Sequence, residues 1–345
     1  MMTGDRGRDC GPQHTPAAAS KPSSVHVIMV NFFGSSDLGV CVPRVLEDGV
    51  QGVTIVDNSC SDREWARLEQ MFAADSRVHL LRMSSNVGFA AGVNAGVAVT
   101  AMSDEDCIWL LNPDTMPESG SVSALTRVLV DGTADIASPV ITTGRERDVV
   151  WFAGGDLDVA RGESHHRGMG VRVGDLRLDA RPSTFITGAA MLVSVQAWRA
   201  LGGLREHYFL YWEDADFCLR AHAAGFLMAV APESVVWHAV GGATIDSGMS
   251  RDYYYFMQRN RVWMMRTAQG GRVSVFTTGG LMTLKNIAIP LVREREARVP
   301  KAMAAVRGLI AGLSGALPEP SGSARPGRLD RSRARRIPRP AQWRS

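Results

Sequence analysis

With 345 residues, 45% of them hydrophobic, the chain has ample material for one large domain or two smaller ones and is no peptide-sized module. The formal net charge of +3 joins two unlike parts: residues 319–345 hold eight arginines against Glu319 and Asp330, about +6, which leaves the remainder about −3. Basic character is therefore a property of the tail, and no recognised nucleic-acid-binding module accompanies it.

Five scattered cysteines (Cys10, Cys41, Cys60, Cys107, Cys218) lack any CxxC spacing, which argues against a disulfide framework or zinc ribbon and for a reducing cytoplasm. Residues 1–24 are rich in Gly, Pro, Ser, Ala and charge without an apolar run, so they read as a disordered segment rather than a secretory signal. No stretch reaches the ~18 uninterrupted apolar residues of a membrane span. Val273 to Val292 comes nearest and is broken by Lys285 and Pro290; it either packs on the domain or lies on a bilayer.

Val25 to Val30 is a short apolar run that ends in Asn31, the pattern of a buried strand delivering a polar residue at its carboxyl end. A helix follows through Leu38 to Gly49. Val53 to Asp57 repeats the pattern with Asn58 and Ser59 at its exit, although such a turn is also common as plain structure. In open parallel sheets, ligands bind at those carboxyl ends.

Val78 to Leu81 reads as a third strand, followed by Gly88, Gly92 and Gly96 on one helical face, with Asn86 and Asn94 flanking them. Helix-against-sheet packing accounts for the glycines but not for the asparagines. Cys107 to Leu111 forms a fourth strand and exits into Asn112, Pro113 and Asp114, an acid placed to hold a hard cation through oxygen. From Gly144 to Thr184 the pattern is that of a solvated loop or hairpin, His165 and His166 included. Phe185 to Ser194 resumes a buried strand, and a helix around Trp198 ends at Gly202 and Gly203.

Phe209 to Arg220 then sets Glu213, Asp214 and Asp216 directly after an aromatic run containing Tyr211 and Trp212. Phe217, Cys218 and Ala221 follow Asp214 at helical spacing and Gly225 ends the helix, so Asp214 occupies its first turn. There the helix dipole favours an ionised carboxylate, the form a general base needs. Glu213 and Asp214 as mere helix caps is the competing reading. Phe226 to Val230 and Val235 to His238 read as two further strands, with His238 at a strand end.

In order along the chain, Val30-Asn31, Val56 to Asn58, Asn86 to Asn94, Leu111 to Asp114, Gly188 to Met191, Gly202-Gly203, Phe209 to Arg220 and Trp237-His238 resemble the motifs of family 2 inverting glycosyltransferases, most closely the bacterial rhamnosyl- and galactofuranosyltransferase branch. The similarity runs from about Val25 to about Arg266. It implies a GT-A fold: an α/β, Rossmann-like, mostly parallel sheet flanked by helices. On that basis residues 25–268 form the catalytic domain, 25–145 the nucleotide-sugar half and 146–268 the acceptor half. A helical extension over 269–318 and a disordered Arg-rich tail over 319–345 complete the chain.

The resemblance implies a role for each matching residue. Asp57 contacts the pyrimidine of the donor, with Asn31, Asn58, Asn86, Gly92, Asn94 and Asn112 around the nucleotide sugar. Asp114, at the end of the family's DXD motif, binds Mg2+ or Mn2+ with His238; Asn112 replaces the motif's first acid. Asp214 is the catalytic base and Glu213 positions the acceptor. Trp212, Arg259 and Arg261 face the acceptor, the two arginines binding phosphate of a lipid-linked acceptor or of the donor, although a cationic helix packing its tyrosines inward explains the arginines equally well.

The implied reaction moves a sugar, rhamnose before others, from dTDP-rhamnose or a UDP-sugar to a glycan or polyprenyl-linked acceptor. The implied setting is envelope polysaccharide synthesis in the cytoplasm, peripherally at the inner face of the plasma membrane, with no nucleic-acid partner. A UDP-galactofuranose transferase and a non-catalytic scaffold of the same fold are the alternatives. A hydrolytic glycosidase is not among them, because its two carboxylates must flank the sugar, and Asp214 and Asp216 share one helix turn.

Overall fold

The computed structural model describes residues 24–178, 182–239, 248–268 and 279–315. The Arg-rich tail, and all of the N-terminal segment but Ser24, lie outside the described residues. Four short apolar runs and their connecting helices open the chain: β1 (Val25–Asn31), α1 (Ser35–Glu47), β2 (Gly52–Asp57), α2 (Asp62–Phe72), β3 (Val78–Arg82), α3 (Gly88–Val99) and β4 (Cys107–Leu111). These strands pair in parallel in the order β3-β2-β1-β4, the outcome of successive β-α-β crossovers. All five residues of β4 are buried, as befits a strand covered on both faces.

The second half is β5 (Thr115–Pro117), α4 (Ser121–Val130), β6 (Ile136–Thr143), β7 (Val149–Phe152), β8 (Gly155–Asp158), β9 (Glu163–His166), β10 (Ala190–Ser194), α5 (Val195–Leu201), α6 (Glu213–Ala223) and β11 (Met228–His238). Here the sheet becomes mixed. β10 runs antiparallel to both β4 and β6, while β11 is parallel to β6 and antiparallel to β5.

The loop or hairpin expected between Gly144 and Thr184 contains β7, which joins β6, and the separate β8-β9 hairpin. The strand expected from Phe185 begins only at Ala190, and the two strands expected over Phe226 to His238 are one. Its register shifts between Ala231 and Val235, around Pro232, a residue with no N–H to give the ladder. Three helices complete the described chain: α7 (Arg251–Ala268), α8 (Gly280–Arg293) and α9 (Arg298–Ser314).

One apolar core runs under the whole sheet, from Val27 and Ile55 through Trp109 and Leu192 to Phe217 and Met264. Polar residues gather where β1, β2 and β4 end.

Candidate active site

The ends of β1 and β2 form a buried polar knot. Asn31 Nδ2 donates to Asp57 Oδ1 (3.0 Å) and to Glu64 Oε1 (3.2 Å), and its Oδ1 accepts from Gly34 N. Asp57 also accepts from Ser59 N at 3.1 Å and the Ser59 hydroxyl at 3.0 Å. Asn31 and Asp57 are both fully enclosed, so their amide and carboxylate set the shape of the strand ends before any ligand arrives.

Glu64 lies outside every sequence motif above. Ser61 and Glu64 have the spacing of a capping box; the Ser61 hydroxyl accepts from Glu64 N, but the Glu64 side chain turns instead to Ser35 N (2.9 Å) and the Ser35 hydroxyl (3.0 Å). Beside the knot, Met83 N donates to Asp57 O, and an open cleft of about 340 Å3 is lined by Cys60, Arg82, Met83 and Ser84. It lies at the carboxyl ends of β2 and β3, the edge at which open parallel sheets bind ligands.

Asn58 and Asn86 meet at the start of α3: Asn58 Nδ2 donates to Gly88 O at 2.8 Å, and Asn86 Oδ1 accepts from Gly88 N at 3.0 Å. Two residues placed in the nucleotide pocket by resemblance serve the scaffold here. Asn94 exchanges hydrogen bonds with Leu204 N and O and donates to Glu206, stapling α3 to the turn after Gly203. Gly92 lets α3 approach β1, since a Cβ there would lie 3.1 Å from Val30 Cγ2.

A second corner forms where β4 and β11 end. Asp114 Oδ1 lies 3.1 Å from His238 Nε2, with Asn112 Nδ2 3.4 Å from the same nitrogen. The edge of Trp151 closes over the imidazole, ring centroids 5.2 Å apart. His238 Nδ1 is buried without a partner among the described residues.

One carboxylate oxygen and one imidazole nitrogen converging in this way suit a divalent cation that takes its other ligands from water and phosphate oxygen. No group of three or more potential His, Cys, Asp or Glu ligands occurs among the described residues, so protein ligands alone do not complete such a shell.

The acidic element is the third part. Phe209, Tyr211 and Trp212 all adopt positive φ (64°, 69° and 72°), a costly conformation for bulky side chains that persists only where the surroundings enforce it. Enforcement comes from two sides. Phe209 O accepts from Phe89 N at 2.6 Å, and Gly88, itself at positive φ, is hydrogen there because a Cβ would collide with the Phe209 carbonyl. From α7, the buried Asn260 Nδ2 points at the carbonyls of Tyr208, Leu210 and Tyr211, each at 2.8 Å, while its Oδ1 accepts from Arg259 Nε.

Held in this way, α6 opens with Asp214 in its first turn. Asp214 Oδ2 accepts from Gly188 N (3.0 Å) and Oδ1 from Ala215 N (2.7 Å). Burial raises its pKa against the opposing pull of these N–H groups. Glu213 is pushed well above the carboxylate range by burial first and by the Asp214 charge second, and its Oε2 has no partner among the described residues. Of the two, Asp214 has more backbone N–H groups favouring its ionised form.

Asp216 points elsewhere: it receives Arg205 Nη1 (2.9 Å), Arg220 Nε (2.8 Å) and the Tyr208 hydroxyl (3.3 Å). The resemblance set Arg259 and Arg261 near acceptor phosphate; the structure occupies both with bracing. Arg261 is buried and donates to the carbonyls of Gly162, Arg161 and Gly279 and to the Thr283 hydroxyl, with burial lowering its pKa to about 10. Arg259 donates to the carbonyls of His207 and Tyr208 and lies over the ring of Trp263. Trp212 is buried in the core with its Nε1 unpartnered among the described residues.

Comparison with known proteins identifies this arrangement. The model of the family described as "Glycosyltransferase like family 2" matches residues 22–273. The chain belongs to this glycosyltransferase family. Among its relatives, the dTDP-rhamnosyl transferase RfbF of Shigella flexneri is 23% identical over 224 residues, 65% of this chain and 71% of that protein. The N-acetylglucosaminyl-diphospho-decaprenol L-rhamnosyltransferase of Mycobacterium tuberculosis (strain CDC 1551 / Oshkosh) is 26% identical over 204 residues, 54% of this chain and 66% of that one.

The chain spans between 60% and 71% of the length of the curated relatives it matches. A mannosyltransferase from Pyrobaculum calidifontis, solved with GDP-Man and Mn2+, superposes with a TM-score of 0.52 at 14% identity over 90% of this chain and 81% of that one. The fold is GT-A.

In this member of the family, consecutive residues join the Asp114–His238 corner to the acidic helix. Gly188 N holds Asp214, and Ala189 O accepts from Asn112 N at 2.9 Å. Glu64 and Asn260 are the site-building residues that sequence reading missed. For Asn260 the available signal was its position between two arginines in an aromatic helix.

Proposed function

We propose that the protein transfers a sugar, rhamnose in the first instance, from a nucleoside-diphosphate carrier to a hydroxyl of a glycan or polyprenyl-linked acceptor, with inversion at the anomeric carbon. The carrying observation is the pair of links at Gly188 and Ala189, which fixes a carboxylate base and a cation-binding corner on either side of one dipeptide. The rhamnosyltransferases of Shigella flexneri and Mycobacterium tuberculosis support the sugar, and the second supports a lipid-linked acceptor.

On this reading Asp214 takes the proton of the acceptor hydroxyl as its oxygen attacks the anomeric carbon, and the bond from that carbon to the nucleoside diphosphate breaks. Asp114 and His238 would hold Mg2+ or Mn2+, which would offset the charge on the departing diphosphate. Asn31, Asp57, Asn58 and Asn86 shape the nucleotide pocket. Glu213, whose ionisation its burial disfavours, and Trp212 offer their orphaned polar atoms to the acceptor. The work is placed at the inner face of the plasma membrane.

Turnover measured against dTDP-rhamnose, UDP-galactofuranose and other nucleotide sugars, with a polyprenyl-diphosphate glycan as acceptor, tests the reading. Product from dTDP-rhamnose with inverted anomeric configuration supports it. Transfer from UDP-galactofuranose alone replaces the donor, and retained configuration removes the single-base scheme.

A further inference from the structure

The hairpin of α8 and α9 carries apolar side chains that the fold leaves uncovered. On α8, Leu281, Leu284, Leu291 and Val292 lie on one face, at positions i, i+3, i+10 and i+11; on α9, Val299, Met303, Val306 and Ile310 do the same at i, i+4, i+7 and i+11. Each is between 37% and 80% exposed, against near-complete burial for the residues of the core. Scattered single hydrophobes on a surface need no explanation, whereas apolar stripes on two neighbouring helices do.

The stripes are held rigidly. Gly308 and Gly312 bring α9 against α7 so closely that a Cβ at Gly308 would run into the Tyr255 carbonyl and one at Gly312 would lie 2.8 Å from Arg259 O. Arg266 donates to the carbonyls of Gly312 and Gly315, both at 2.7 Å. At the other end Glu294 and Lys301 form a buried ion pair, to which the Tyr254 hydroxyl adds a hydrogen bond of 2.7 Å. The outer face of α9 is therefore fixed to the helix that supplies Arg259 and Asn260 to the acidic turn.

Charge decides what this face meets. With Glu294 and Lys301 satisfied inside, the exposed charges on the hairpin are Lys285, Arg293, Arg295, Arg298 and Arg307 against Glu296 alone. The sequence that follows adds eight arginines and two acids over residues 319–345. A second copy of this chain seated on the stripes through a two-fold axis would bring like charge to like.

We propose that the α8-α9 face docks on an anionic lipid bilayer, its two apolar stripes entering the headgroup boundary and its cations meeting lipid phosphates. The purpose rests on the reading of a lipid-linked acceptor; the binding does not, and is measured without any sugar.

Flotation of the full chain with vesicles of phosphatidylcholine, alone or with 30% phosphatidylglycerol, tests it. The protein should float with the anionic vesicles, and 0.5 M salt should weaken the binding. The combined variant Leu284→Ser, Val292→Ser, Ile310→Ser should lose at least about tenfold in partitioning while keeping its thermal midpoint and its turnover on a water-soluble acceptor. No flotation of the wild type at low salt overturns the proposal. So does equal flotation of the variant, which would assign binding to the Arg-rich tail. A wild-type dimer in light scattering that the variant dissolves would assign the face to a second copy.

Discussion

Asp114 Oδ1 and His238 Nε2 lie 3.1 Å apart although 124 residues separate them in sequence. β5 and β11 make the meeting: Thr115 pairs with His238 in antiparallel register, so the residue before one strand meets the last residue of the other. If this corner holds a divalent cation, the affinity for dTDP depends on it, because an acid beside two phosphates repels them otherwise. Calorimetry should find dTDP binding weakened at least about tenfold, or ~1.4 kcal/mol, by a chelator and by His238→Ala. Equal affinity in all three conditions removes the metal from the scheme.

Asn260 should matter to the rate more than to donor binding. Its amide restrains three carbonyls of a turn with three left-handed residues, one position away from the acidic pair. Asn260→Ala frees that turn and should lower kcat by about 10- to 100-fold, since small misplacements near the reacting atoms are costly. Calorimetric affinity for dTDP should stay within about twofold. A matching loss of nucleotide affinity would show that the turn's effect spreads beyond the base.

Glu213→Gln should stabilise the protein at neutral and higher pH. Burial holds the wild-type carboxyl well above its ordinary range in the folded state, while the unfolded chain ionises above its ordinary value of ~4.3. Folding stability from this group is thus fully present below that value and falls as pH rises through the folded pKa. Glutamine removes that dependence. Thermal midpoints should favour the variant by a few degrees at pH 8 and by almost nothing at pH 4, and a pH-independent difference would contradict the assignment.

Asp216→Asn should unfold the protein more readily without touching the chemistry. Arg205 and Arg220 both end on this buried carboxylate, and removing one partner of such a group typically costs about 3–5 kcal/mol. Denaturant titration should show the loss, with turnover per folded molecule falling no more than about threefold.

The first half of the fold was legible because buried parallel strands are uninterrupted apolar runs with polar exits, and β1, β2 and β4 have that form. Residues 115–143 held no such cue, and the antiparallel entry of β10 depends on pairing that no single segment encodes. Within the site, Asp214 and Asp114 stood out because each follows an apolar or aromatic run. The scaffold contacts of Asn94, Arg259 and Arg261 were not legible for one physical reason: a polar side chain that binds a distant backbone carbonyl looks, in sequence, the same as one that binds a ligand. Glu64 hid behind its capping-box spacing, which only its backbone N–H honours.

Whether Asp214 takes the acceptor proton is decided by the turnover of Asp214→Asn measured alongside its nucleotide affinity. The amide keeps the size of the side chain and can still accept one of the two backbone hydrogen bonds, from Gly188 N or Ala215 N, but it takes up no proton from an acceptor. Loss of a general base costs about 100- to 10,000-fold in rate, so the variant should bind dTDP like the wild type and turn over at least about 100-fold more slowly. A variant that keeps more than about a tenth of the wild-type rate contradicts the account and moves the search for the base to Glu213.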